Sequence, residues 1–213
     1  MPTMNTEPSA LSPLTPQPEG KTAAQRPRPL SEFPAMAQTA AELLRTPTAL
    51  AELSLEDARC VVEYMWLVGY AAGVTVLVEG DREHTGFMLL LLSGEVSVEA
   101  GGPGPGASGA RAESALISVT GPGHLLGEMG VLDGAPRSTT CVAVSRVEAG
   151  ALTRAALHKL IADQPTVGAR LMAAVAQRLA ERVRAADDQV RIYAQIAGKL
   201  QAEVEGLKRE LGR

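Results

Sequence analysis

The residues in this chain whose types and spacing could do chemistry are gathered in one stretch, Gly127 to Thr139 (Gly-Glu-Met-Gly-Val-Leu-Asp-Gly-Ala-Pro-Arg-Ser-Thr). It carries a carboxylate, Glu128, and a guanidinium, Arg137, toward the two ends of a short glycine-punctuated loop. Gly127, Gly130 and Gly134 let the backbone turn sharply and approach a ligand closely. Pro136 fixes the approach to Arg137. Backbone N–H groups exposed in such a turn favour an anion, and the planar donor fork of Arg137 suits phosphate oxygens. An ionised Glu128 only accepts hydrogen bonds, so it suits a pair of hydroxyls such as a ribose edge. An anion clamp beside a hydroxyl clamp reads as a sugar-phosphate site. The bland alternative is a surface hairpin with a solvated Glu and Arg; the glycines, the Pro-Arg step and the flanking strand patterns count against it.

Those groups need rigid elements to hold them, and the flanking pattern supplies strands. Met65–Tyr70, Val74–Val78, Phe87–Leu92, Gly94–Ala100, Ala115–Val119, Ser138–Val144 and Val147–Leu152 are short apolar or alternating runs separated by turn residues. Many short strands of this kind predict a jelly-roll-like barrel of about eight strands within an α+β fold. Short helices flank it. One is expected over Met36–Leu44. A second follows Ser54, a cap with Asp57 three residues on. A third follows the Thr153 cap, over Arg154–Ala162. Gly101–Gly109 reads as a hairpin connection and lacks the Gly-Lys-Ser/Thr ending of a phosphate loop.

The chain divides into three expected parts. Residues 1–35, rich in Pro, Thr, Ser and Gln, read as a disordered tail. Residues 36–164 hold the barrel and 165–213 a long C-terminal helix. The barrel from residue 46 carries seven Lys/Arg against fourteen Asp/Glu, whereas the helix carries nine against six. An acidic domain is a poor nucleic-acid binder by its overall field but can still hold one small anion through local donors. Along the helix, Val183, Val190, Ala197, Val204 and Leu211 fall at heptad position a; Ala186, Tyr193, Leu200 and Leu207 fall at d. This pattern predicts a parallel two-stranded coiled coil, hence a homodimer. Arg182 would face Asp187 of the partner helix, and Glu203 would face Lys208 likewise.

Several function classes are excluded as expectations. His84, His124 and His158 do not stand at metal-ligand spacing, and no Ser/His/Asp set has supporting context, so neither a metal nor catalysis is expected. Cys60 and Cys141 are isolated, which suits reduced cytosolic thiols. No signal peptide or membrane-length apolar run is evident, so the chain is expected to be cytoplasmic.

The Gly127–Thr139 stretch resembles the phosphate-binding cassette of the cyclic-nucleotide-binding domain family. That pattern runs Gly-Glu, a helical turn with a hydrophobic residue, then Pro-Arg-Ser/Thr/Ala, here Gly127-Glu128, Leu132 and Pro136-Arg137-Ser138. Glu79-Gly80-Asp81, Phe87–Leu92, Ser93-Gly94-Glu95-Val96 and Gly121-Pro122-Gly123 extend the likeness. The resemblance implies that Glu128 binds a ribose 2′-hydroxyl and Arg137 the cyclic phosphate, with Ser138 assisting and Gly127, Met129 and Thr139 beside them. Leu126 and Thr139 depart from the usual aromatic and alanine. In register with the bacterial catabolite activator proteins, Arg182 takes the base-facing position, where a small hydroxyl residue is usual. An arginine fork suits guanine O6 and N7 and can stack on any purine; the alternative is that Arg182 only pairs with Asp187. The ligand implied is cAMP or cGMP. The chain ends within the coil, without the helix-turn-helix of relatives that act as transcription factors. A sensor that signals through its dimer to a protein partner is therefore expected. Alternatives are a transcription-associated regulator acting on DNA or with a DNA-binding partner, and a scaffold dimer without ligand.

Overall fold

A computed structural model describes residues 27–101 and 115–211. The tail up to residue 26 and most of the Gly101–Gly109 loop lie outside the described residues. The elements run β1 (Arg28–Pro29), α1 (Pro34–Leu44), α2 (Leu55–Glu63), β2 (Trp66–Tyr70), β3 (Thr75–Leu77), β4 (Phe87–Ser93), β5 (Val96–Ala100), β6 (Ala115–Thr120) and β7 (Leu125–Leu126). They continue with α3 (Glu128–Asp133), β8 (Thr140–Ala143), β9 (Val147–Thr153), α4 (Arg154–Asp163) and α5 (Pro165–Leu211). Arg28–Pro29 pairs with β2, and Leu30 is fully buried, so ordered structure is present from residue 28.

The strands form two antiparallel sheets, ordered β1-β2-β9-β4-β7 and β3-β8-β5-β6. Their inner faces share a core of Val68, Tyr70, Phe87, Leu89, Leu91, Leu126, Cys141, Ala149 and Ala151, among others. β4 is buried on both faces, which explains why its sequence is a continuous apolar run rather than an alternating one. Its other face, with Met88 and Leu90, is also sealed. On neighbouring β9, a Cβ added to Gly150 would stand 3.0 Å from the Met65 side chain and 3.3 Å from Leu30. β6 sits at the edge of the second sheet with Leu116, Ile117 and Val119 exposed.

α2 begins where its cap predicts: the Ser54 hydroxyl accepts the Asp57 N–H at 3.0 Å. The buried Asp57 carboxylate accepts from Ser54 Oγ and from Arg170 Nη1 at 3.1 and 3.2 Å. The Ser54 hydrogen bond leads in holding its pKa below the ordinary value; burial opposes and Arg170 assists. Thr153 caps α4 in the same way, accepting from Ala156 N–H at 3.0 Å. Between α4 and α5 only glycine fits at residue 168, because a Cβ there would come within 2.8 Å of Ile161.

The chain forms two compact units, Met1–Leu171 and Met172–Arg213. The second unit, taken by itself, is helical through Leu211, with Val183, Val190, Tyr193, Leu200 and Val204 exposed at seam positions. No helix among the described residues is long and apolar enough to cross a membrane.

Candidate functional site

Gly127 ends β7's chain segment and serves as N-cap of α3 with φ +73°, a left-handed conformation that disfavours other residues. Glu128 is the first residue of α3 and is only 4% exposed. Gly134 closes the helix, again left-handed at φ +73°, and its N–H returns to Gly130 O at 3.0 Å. Met129 is 43% exposed, Ser138 exposed, and Thr139 half-buried.

Arg137 is 5% exposed and fixed through both its main chain and its side chain. Its N–H donates to Asp81 O at 3.0 Å, and its carbonyl accepts from Gly80 N–H at 2.8 Å. Nε and Nη2 donate to His84 O at 3.0 and 2.7 Å; Nη2 also reaches Phe87 O at 2.8 Å. Nη1 donates to Gly127 O at 2.8 Å, and the guanidinium lies 4.7 Å from the centre of the Phe87 ring. Four of the five N–H donors of an arginine are thus directed to main-chain carbonyls. The second Nη1–H is the donor not directed to one of these carbonyls. The open fork that the sequence suggests is largely turned onto the backbone, because residues 84–87 and Gly127 present three carbonyls to it. Burial lowers the Arg137 pKa, partly offset by the Asp81 carboxylate; the group stays charged.

Asp81 organises that wall. Its carboxylate accepts from Glu83 N–H at 2.8 Å and His84 N–H at 3.2 Å and meets His84 Nδ1 at 2.9 Å. Burial raises its pKa, but these bonds outweigh it and leave the carboxyl below its usual range. Tyr70 projects into the same core. It has the one buried side-chain polar atom without a hydrogen-bond partner among the described residues, and burial pushes its pKa up to about 12.

A second guanidinium, which the sequence reading passed over, grips the far end of α3. Arg154 Nε donates to Val131 O at 2.9 Å and Nη2 to Gly130 O at 2.5 Å, while its own N–H reaches Gly86 O at 2.8 Å. One signal for it was legible: a cation in the first turn of a helix opposes the macrodipole, so such an arginine needs another partner. The structure therefore brings Gly127, Gly130 and Arg137 into contact, with Glu128 on the adjoining turn. Arg182 belongs to the second unit and is exposed there. No cluster of three or more His, Cys, Asp or Glu able to hold a metal occurs among the described residues.

Residues 67–164 match the model of the cyclic nucleotide-binding domain. A crystal structure of such a domain from Methylobacillus flagellatus is 30% identical, at a TM-score of 0.60, over 73% of this chain and 82% of that one. The chain belongs to the cyclic nucleotide-binding domain family. Within this family, two curated proteins are similar. A CRP-like cAMP-activated global transcriptional regulator of Mycobacterium tuberculosis is 28% identical over 53% of this chain and 46% of its own length. The cyclic AMP receptor protein of Thermus thermophilus is 31% identical over 61% and 56%. The chain spans about half the length of these curated relatives. The match runs from β2 through α4, and α3 with Gly127 and Arg137 lies inside it.

Proposed function

We propose that this chain is a cyclic-nucleotide sensor that acts by binding rather than catalysis. The observation that carries the reading is the pair of buried ionisable groups at the start of α3, Glu128 at 4% and Arg137 at 5% exposure, around a left-handed Gly127. Burying a charge is costly unless it is paired or hydrogen-bonded, and Arg137 is held by main-chain carbonyls of residues 84, 87 and 127. The nucleotide ribose 2′-hydroxyl goes to Glu128. The cyclic phosphate goes to the remaining Arg137 donor and to the cassette backbone, with Ser138 and Thr139 at its edge and Gly127 and Met129 alongside. cAMP is favoured over cGMP by the named activities of the two curated relatives. Arg182 is the candidate reader of the base, and the exposed apolar seam of α5 is the candidate dimer interface that passes the signal to a protein partner.

Titration calorimetry with cAMP and cGMP tests the reading. Wild type should bind at least one, and Glu128→Gln should weaken it by about tenfold or more, as for loss of a charged hydrogen bond. No binding to wild type sinks the sensor and favours a scaffold dimer. Arg182→Ala should change the ratio of the two affinities; an unchanged ratio removes Arg182 from base recognition. Similarity to a transcriptional regulator of Mycobacterium tuberculosis supports a second reading, a regulator acting on DNA. It requires a salt-dependent gel shift with duplex DNA. Light scattering should give a dimer mass.

A further inference from the structure

The cassette helix is held at its carbonyl end by a residue outside the cassette. Arg154 directs its fork to two successive carbonyls, Gly130 and Val131, at 2.5 and 2.9 Å. Gly130 O is a shared acceptor, since it also takes the Gly134 N–H at 3.0 Å. Gly134 makes room for this: a Cβ there would stand 3.2 Å from Arg154 Nη2 and 3.4 Å from Nη1. Two energetic disadvantages accompany the arrangement. Arg154 is the first residue of α4, where a cation opposes the helix dipole. Its charge also acts unfavourably on buried Arg137. A residue needed only to cap α3 carries neither disadvantage by necessity.

We propose that Arg154 is a positioning residue of the nucleotide site. Its guanidinium fixes where α3 lies relative to the first turn of α4, and so sets the pose of Glu128 and Gly127 at the other end of the same six-residue helix. The inference rests on the cyclic-nucleotide reading above. The fork matters rather than the charge alone, because two carbonyls on consecutive residues need two diverging donors on one planar group. A lysine keeps the charge and reaches one of them.

The test compares wild type, Arg154→Lys and Arg154→Gln. cAMP and cGMP are titrated onto each by calorimetry, and backbone hydrogen exchange over α3 and α4 is followed with and without saturating nucleotide. Failure of wild type to bind either nucleotide overturns the sensor reading itself. Given wild-type binding, Arg154→Gln is expected to bind about tenfold more weakly, as for loss of a charge-assisted hydrogen bond. Arg154→Lys should recover less than half of that loss on a logarithmic scale. In wild type the nucleotide should raise protection in the first turn of α4 as well as in α3; in the lysine variant protection should rise in α3 alone. Wild-type affinity in either variant, or full recovery by lysine, overturns the proposal. So does a rise in α4 protection equal to that of wild type. If Arg154→Gln does not fold, Arg154→Lys decides by the same criteria.

Discussion

Arg137 and Arg154 grip α3 from opposite ends but under different conditions. At the Gly127 end Arg137 is 5% exposed and its three carbonyl partners come from two other segments, residues 84–87 and Gly127. At the Gly134 end the guanidinium is half-buried and both partners lie within α3 itself. The first arrangement ties the site to the barrel; the second ties it to the helix that follows. The difference teaches that one short helix is held by two anchors, and that only the barrel anchor is built into the core.

The largest effect is expected from breaking the barrel anchor. Arg137→Ala should abolish measurable nucleotide binding and, by stranding three carbonyls, lower stability by about 3 kcal/mol in urea denaturation. Stability at the wild-type level would mean the carbonyls are satisfied by solvent and the ends of α3 are alike. A smaller contrast comes from the glycines. Gly127→Ala adds both left-handed strain and a collision with Arg137 Nη1, whereas the Gly134 Cβ keeps 3.2 Å from Arg154. Gly134→Ala should cost about 1–2 kcal/mol, chiefly for the left-handed backbone, and Gly127→Ala about twice that. Equal losses in thermal denaturation would break the comparison.

The smallest effect concerns the core behind the barrel anchor. Tyr70→Phe removes the unpartnered buried hydroxyl and should stabilise by up to ~1 kcal/mol at neutral pH. Because the folded pKa of Tyr70 is raised from 10.0 to about 12, its contribution is present below pH 10 and lost as pH climbs from 10 to 12. The phenylalanine variant should lose that portion of the slope. Cys141, raised by burial to about 11, contributes its own loss from pH 9 upward in both proteins. An unchanged alkaline profile would show that the Tyr70 hydroxyl is hydrated in the folded state.

How much was legible follows the same division. Strands with several alternating or apolar residues, such as Phe87–Ser93 and Val147–Thr153, announced themselves by period. Two-residue strands, Arg28–Pro29 and Leu125–Leu126, have no period to read, and pairing partners alone define them. The caps Ser54 and Thr153 were visible because their chemistry is local. Gly127, Glu128 and Arg137 could be singled out because their side-chain types and spacing are distinctive. The direction of the Arg137 fork was not, since its acceptors are main-chain carbonyls that every residue possesses. Asp57 and Arg170 meet across 113 positions, and no local pattern joins them. Arg154 falls between these cases: its placement at a helix start was odd enough to notice, but its partners were again backbone.

A guanidinium with most of its donors committed to residues 84–87 and 127 makes ligand affinity a readout of barrel integrity. Substitutions at Asp81 or in the turn around His84 touch no expected ligand atom, but they move the carbonyls that aim Arg137. Variants there will present as binding-defective in a screen and will be mistaken for ligand contacts unless folding is measured beside affinity.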